Sequence, residues 1–155
     1  MTPEETLRAA TEYLKNLQAM KTHYVAVGLP ESKVSGKKYE GGVSVIEVGA
    51  AHEFGTEDNP ERSFLRAPFE LKKSEITRAI EQACVAVGSG RKDAITALNL
   101  IGVTARNISV KAFESGGYGT WPDIKDETKK AKGSSGILID KGELRGDITW
   151  EVRSE

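Results

Sequence analysis

Few residues of this chain are of types that do chemistry: His52-Glu53, Cys84, the run Gly88-Ser89-Gly90-Arg91-Lys92 and the lysines between Lys125 and Lys132. A zinc-protease helix begins His-Glu, but its metal needs a second histidine four residues after the first, and position 56 is Thr. Gly55 and an expected strand before it also oppose a helix there. A catalytic zinc takes about three protein ligands. His23 is the other histidine and Cys84 the single cysteine, so no ligand set is recognisable. The plain reading of His52 is a hydrogen-bonded histidine at a strand end. A phosphate-cradling loop needs four residues between its glycines and a Ser or Thr after its Lys, whereas Asp93 follows Lys92. No predicted strand precedes these glycines, so a dinucleotide fingerprint fails too, and a break between helices is the better reading. Cys84 lies near the apolar side of a predicted helix with no basic neighbour in sequence and reads as core. Lys129, Lys130 and Lys132 could face DNA phosphates, although such a run more commonly marks a solvated surface. Trp121 and Trp150 are of the type that anchors interfaces, and Trp150 equally suits core packing on a last strand. The expectation is a chain with no catalytic, metal-binding or cofactor-binding residues: not an enzyme, and without a cofactor.

The elements that would carry these residues follow from pattern. Thr2-Pro3-Glu4-Glu5 is a helix start with a capping box and Pro at the first position. Leu7, Ala10, Leu14 and Leu17 then form one apolar stripe up to about Met20. His23 to Leu29 reads as a strand stopped by Pro30, and Val43 to Phe54 as a second strand, paired with the first in a hairpin. Pro68 suits the first turn of a second helix, with Phe69, Ile76, Ile80, Ala83 and Val87 on one side. A third helix is predicted from Arg91 to Phe113, with Ala94, Leu98, Ile101, Ala105, Ile108 and Ala112 as its buried stripe. A turn or short helix capped by Asp140 and a last strand, Ile148 to Arg153, complete the chain. The order implies an α+β fold, a small, mainly antiparallel sheet packed with about three helices. Residues 1–155 form a single domain, with 31–42 and 114–136 as flexible loops.

Composition narrows the function class. At 38% hydrophobic and 29% charged, 155 residues make an ordinary globular domain. A formal charge of −1 argues against general binding to a nucleic-acid backbone. MTPEETLRAA lacks the pattern of a secretory signal, and no apolar run approaches the ~20 residues of a membrane helix. One cysteine excludes an internal disulfide and fits a reducing compartment. The expectation is synthesis in the cytosol with no membrane partner.

Three stretches resemble one family, the small neck proteins of tailed bacteriophages known as virion-morphogenesis, tail-completion or head–tail joining proteins. The first is Ala51-His52-Glu53-Phe54-Gly55-Thr56, then Pro60, Arg62, Phe64-Leu65-Arg66 and Pro68. The second is Ile101-Gly102 with Ala105-Arg106 and Ile108. The third is Trp121-Pro122, Thr128 and Lys132, then Leu138 through Arg145 and Ile148. They occur in family order over about Val43 to Val152. The chain departs from the family at Lys141-Gly142, where Thr-Gly is frequent, and at Arg62-Ser63, where Pro or Arg-Pro is frequent.

The resemblance implies a non-enzymatic virion component of the neck or tail, assembled in the host cytoplasm as a homo-oligomeric ring, commonly a hexamer, at the head-proximal end of the tail. Its partners would be copies of itself, the adjacent connector, and the tail-tube or tail-terminator proteins. Genomic DNA would pass through the lumen without sequence-specific binding, and a near-neutral chain suits such a channel. His52, Glu53, Arg62, Phe64, Arg66 and Trp121 are the expected subunit-interface residues, since arginine and aromatics are enriched at contacts. Pro60 and Pro68 constrain the loop that presents three of them. A tail terminator capping the tube is the nearest alternative, followed by a nucleic-acid-binding accessory protein and a small-ligand domain.

Overall fold

Thr2 accepts from the Glu5 backbone N–H at 3.1 Å while the Glu5 carboxylate accepts from Thr2 N at 2.6 Å. This capping box opens helix α1, Pro3–Thr22. The computed structural model describes residues 1–39, 41–123 and 142–155. Strand β1, His23–Gly28, follows α1 directly, then α2, Glu31–Val34, and α3, Val45–Phe54. Helices α4, Arg66–Leu71, α5, Lys73–Gly88, and α6, Ala94–Glu114, form the middle of the chain. Helix α7, Glu143–Asp147, leads into strand β2, Thr149–Ser154. Seven helices and a two-stranded antiparallel sheet among the described residues make this a small α+β fold.

Several expectations need correction. Val43 to Phe54 is not a strand: Ser44 caps α3, with Glu47 N donating to its Oγ at 3.2 Å and Ser44 N donating back to the Glu47 carboxylate at 2.9 Å. The Ser44 backbone N–H, then its hydroxyl, hold the Glu47 carboxyl below its ordinary value. A carboxyl lowered on folding stabilises fully above the ordinary carboxylate range, and that contribution is lost as pH falls through the lowered value. β1 therefore forms no hairpin; its antiparallel partner is β2 from the far end of the chain, in the register Val25↔Val152 and Val27↔Trp150. The predicted second helix is two, divided at Lys72. The third starts at Ala94 because Asp93 Oδ1 accepts from Thr96 N at 2.9 Å. Asp140 lies outside the described residues, and α7 begins after Gly142 in the left-handed region at φ 63°. Within segment 31–42, Glu31–Val34 is helical, Val34 is 2% exposed and Tyr39 packs against the same core.

Helix α6 is the spine, and its stripe is buried as expected, with Ile101 half-buried. On one side Ala97 of α6 packs with Ala83 and Val87 of α5 and with Leu17 and Met20 of α1. Among the described residues, only the C-terminal half of α1 is packed. Asn16 Oδ1 accepts from Ala94 N at 2.9 Å and Tyr13 OH donates to Gly88 O at 2.7 Å, whereas Leu7 is 69% and Leu14 63% exposed. On the other side Phe113 of α6 joins Phe64, Val45, Leu144 and Ile148.

The sheet closes onto α6 where Gly102 has no side chain. A Cβ at Gly102 would stand 2.2 Å from Trp150 Cδ1, and the indole Nε1 donates to Asn99 Oδ1 at 2.9 Å. Gly102→Ala gains ~1 kcal/mol of helix propensity but incurs ~1–3 kcal/mol of overpacking, toward the upper end for a rigid ring met this closely. The expected result is a net loss of stability with a shifted tryptophan emission. An unchanged denaturation midpoint and spectrum would contradict this packing.

Beside Trp150 the coverage of α6 stops. Leu98, Ile101 and Ala105 floor an open apolar groove of about 380 Å³. Its walls are Val25 and Val27 of β1 and Ile76, Ile80 and Cys84 of α5. Cys84 is thus exposed on a groove, not buried in the core. Among the described residues, no helix is long and apolar enough to cross a membrane.

Candidate functional site

The loop joining α3 to α4 is built around one carboxylate. Val45, Gly49 and Glu53 recur every four residues and form the buried stripe of α3. The stripe sits close because Gly49 has no Cβ; one built there would meet Leu29 Cδ1 at 2.4 Å. The helix ends at Gly55, φ 73°, where a side chain would run into Glu61 N at 2.9 Å. The chain then reverses: Thr56 N donates to Asn59 O at 2.8 Å, and Arg62 N donates to His52 O at 2.8 Å.

This reversal carries residues 63–66 across the end of the Glu53 side chain. Glu53 is 4% exposed. Its Oε2 accepts from the backbone N–H of Phe64 at 2.9 Å and of Leu65 at 3.0 Å. Its Oε1 accepts from Ser63 Oγ at 2.9 Å and from the N and Nε of Arg66, each at 3.0 Å. Ser63 Oγ in turn accepts from Ala67 N at 2.9 Å. Three successive N–H groups aimed at one anion form a backbone nest, placed here at the start of α4, whose orphan donors need acceptors. Five donors, one of them the Arg66 guanidinium, offset the cost of burying the carboxylate.

The surroundings fix the loop further. Phe64 is 1% exposed, its ring 5.2 Å from that of Phe113, which meets Trp121 edge-on at 5.5 Å. Trp121 Nε1 donates to Ser63 O at 3.0 Å and Ser109 Oγ to Phe64 O at 2.7 Å. Arg62, 6% exposed, donates from Nε and Nη2 to Pro122 O at 3.3 and 3.4 Å. Burial pushes its guanidinium below the ordinary value, opposed by the charge of Asp123.

The expected interface residues therefore separate. Phe64 and Arg62 are packed inside their own chain, which corrects the expectation that they are presented outward. Glu53 holds the backbone of residues 64–66, and Pro122 O receives the Arg62 guanidinium, so these two side chains turn inward. Glu53 is buried, His52 is half-buried in the last turn of α3, and Trp121 is half-buried against the core. Of the expected loop 114–136, Glu114 ends α6, residues 115–121 are turns next to Trp121, and residues 124–136 lie outside the described residues; a Cβ on Gly117 would stand 2.2 Å from the Trp121 indole. Arg66 reaches the surface, its side chain 56% exposed, paired with Glu61 at 3.0 Å and lying 4.6 Å over the ring of Phe54. Phe54 is itself 63% exposed. Sequence reasoning did not single out Ser63, Glu61 or Ser109. Ser63, just ahead of the first turn that Pro68 favours, carried a capping signal that could have been read.

Chemically the arrangement holds a loop; it leaves no lone pair of Glu53 pointed at a cavity. His52-Glu53 does lie on a helix, but that helix ends at Phe54, before position 56. No group of three or more His, Cys, Asp or Glu that could hold a metal occurs among the described residues. Lys129, Lys130 and Lys132 lie outside the described residues. Comparison with models of known protein families, with curated proteins and with solved structures found no match.

Proposed function

We propose that the chain is a structural component of a tailed-phage virion, forming a ring at the head-proximal end of the tail that completes the tail and joins it to the head. The observation that supports this reading is where its three resembling stretches lie. Their described residues come together: Phe64 of the first and Trp121, Leu144 and Ile148 of the third share one core with Phe113, which lies on the same helix as the second. Hydrogen bonds tie them directly, Ser63 O to Trp121, Arg62 to Pro122 O, and Arg106 Nε to Ile148 O at 2.9 Å. An ordered set of short motifs that converges in this way behaves as one structural signature. In this reading Glu53 shapes the loop and performs no catalysis, and the chain uses no cofactor.

The Phe54–Arg66 pair is the part of the motif left for a partner. It combines an aromatic ring with a guanidinium held rigidly by Glu53 and Glu61, so little entropy is lost on contact. Its partner is the next copy in the ring; the connector above, the tail tube below and DNA in the lumen complete the surroundings. The tail-terminator reading shares this surface and differs in layer.

Native mass measurement tests the ring. A closed oligomer is expected, six copies by the resemblance, and Phe54→Ala is expected to weaken each contact by ~2 kcal/mol, about thirtyfold, with the monomer melting temperature unchanged. A chain that stays monomeric at every concentration would overturn the proposal.

A further inference from the structure

Among the described residues, two unlike apolar surfaces lack a partner. One is the N-terminal half of α1: residues 1–15 are exposed throughout, with Leu7 and Leu14 two turns apart on one side. The other is the groove over α6, where Ile80 is 44% exposed and Cys84 is exposed. Among the described residues neither surface covers the other within one copy. Its own α1 is pinned at Tyr13 and Asn16 with Leu17 and Met20 in the core, and a rigid helix fixed there cannot turn its first half back into its own groove.

We propose that the N-terminal half of α1 of one copy docks in the α6 groove of a second copy. A helix laying an apolar side into a groove is a general recognition mode. Spacing fits it: Leu7 and Leu14 are about 10.5 Å apart along the helix axis, and Ile76 and Cys84 on the groove wall about 12 Å. Charge gives the direction. Residues 1–15 carry Glu4, Glu5 and Glu12 against Arg8 and Lys15, a net −1. Residues 69–78, at the Phe69–Ile76 end of the groove, carry Lys72, Lys73 and Arg78 against Glu70 and Glu75, a net +1. The acidic start of the incoming helix therefore lies at the Lys72–Lys73 end, with Leu7 near Ile76 and Leu14 near Cys84. Exposed charges at such separations are screened by salt, so they set orientation while burial of the leucines supplies the affinity. A contact between two different patches is heterologous and generates a ring when the rotation closes. It gives the proposed ring a named contact and rests on that reading only for closure.

The test uses the single native thiol. Chains carrying Leu14→Cys and Cys84→Ser are mixed with native chains, whose only cysteine is Cys84, and treated with a short bismaleimide. A crosslinked heterodimer is then intermolecular by construction. It is expected in high yield, and in low yield when Glu12→Cys replaces Leu14→Cys on another side of α1. Leu7→Glu is expected to weaken association about thirtyfold, as loss of an apolar anchor does. Oligomers without the crosslink, or equal yield from the Glu12 variant, would overturn this contact and leave the ring standing. A chain that never associates would overturn both. Protection of Cys84 only when a different virion protein is added would assign the groove to that protein instead.

Discussion

Glu53→Ala is expected to lower the unfolding free energy by ~3–5 kcal/mol, the range for breaking a buried ion pair while its partners stay in place. Three backbone N–H groups, the Ser63 hydroxyl and Arg66 Nε lose their acceptor together. Against a typical total of ~5–15 kcal/mol this leaves a marginal protein. Glu53→Gln keeps the volume but turns one acceptor oxygen into a donor that faces N–H groups, so it is expected to recover little. Chemical denaturation of the three chains checks the prediction. A loss within ~0.5 kcal/mol, as at an ordinary surface position, would mean that the carboxylate is not what holds the loop.

The second large effect is at Phe64. Phe64→Ala is expected to cost ~3–5 kcal/mol by leaving a cavity between Phe113, Leu144 and Ile148. The loss appears in the isolated chain and does not depend on protein concentration. If the ring packed instead against a neighbouring copy, the monomer would keep its stability and only assembly would fail. Denaturation at two protein concentrations separates these outcomes.

What the sequence revealed and concealed has specific causes. The capping box at Thr2–Glu5 and the three-to-four spacing along α6 are local signals, and the structure has both. The same box at Ser44–Glu47 went unread because Val43, Val45 and Ile46 imitate a strand, and that error also suggested a hairpin where β1 in fact pairs with the distant β2. The α1 stripe shows an amphipathic helix, but periodicity does not say what covers it, and Leu7 and Leu14 remain outside. At the site, His52-Glu53 drew attention as chemistry. Its role was hidden because the partners of Glu53 are mostly main-chain groups, which no residue type announces. They reach it only through the left-handed turn at Gly55 and the reversal at Asn59. Arg62 and Arg66 look equivalent in sequence, and only the fold sends one to Pro122 and the other to the surface.

The most direct measurement of the central claim is electron microscopy of phage tails assembled with this chain carrying a visible label at its exposed N-terminal helix. The account predicts a ring of label at the head-proximal end of every completed tail. Tails that are complete and joined to heads but carry no label there would contradict it.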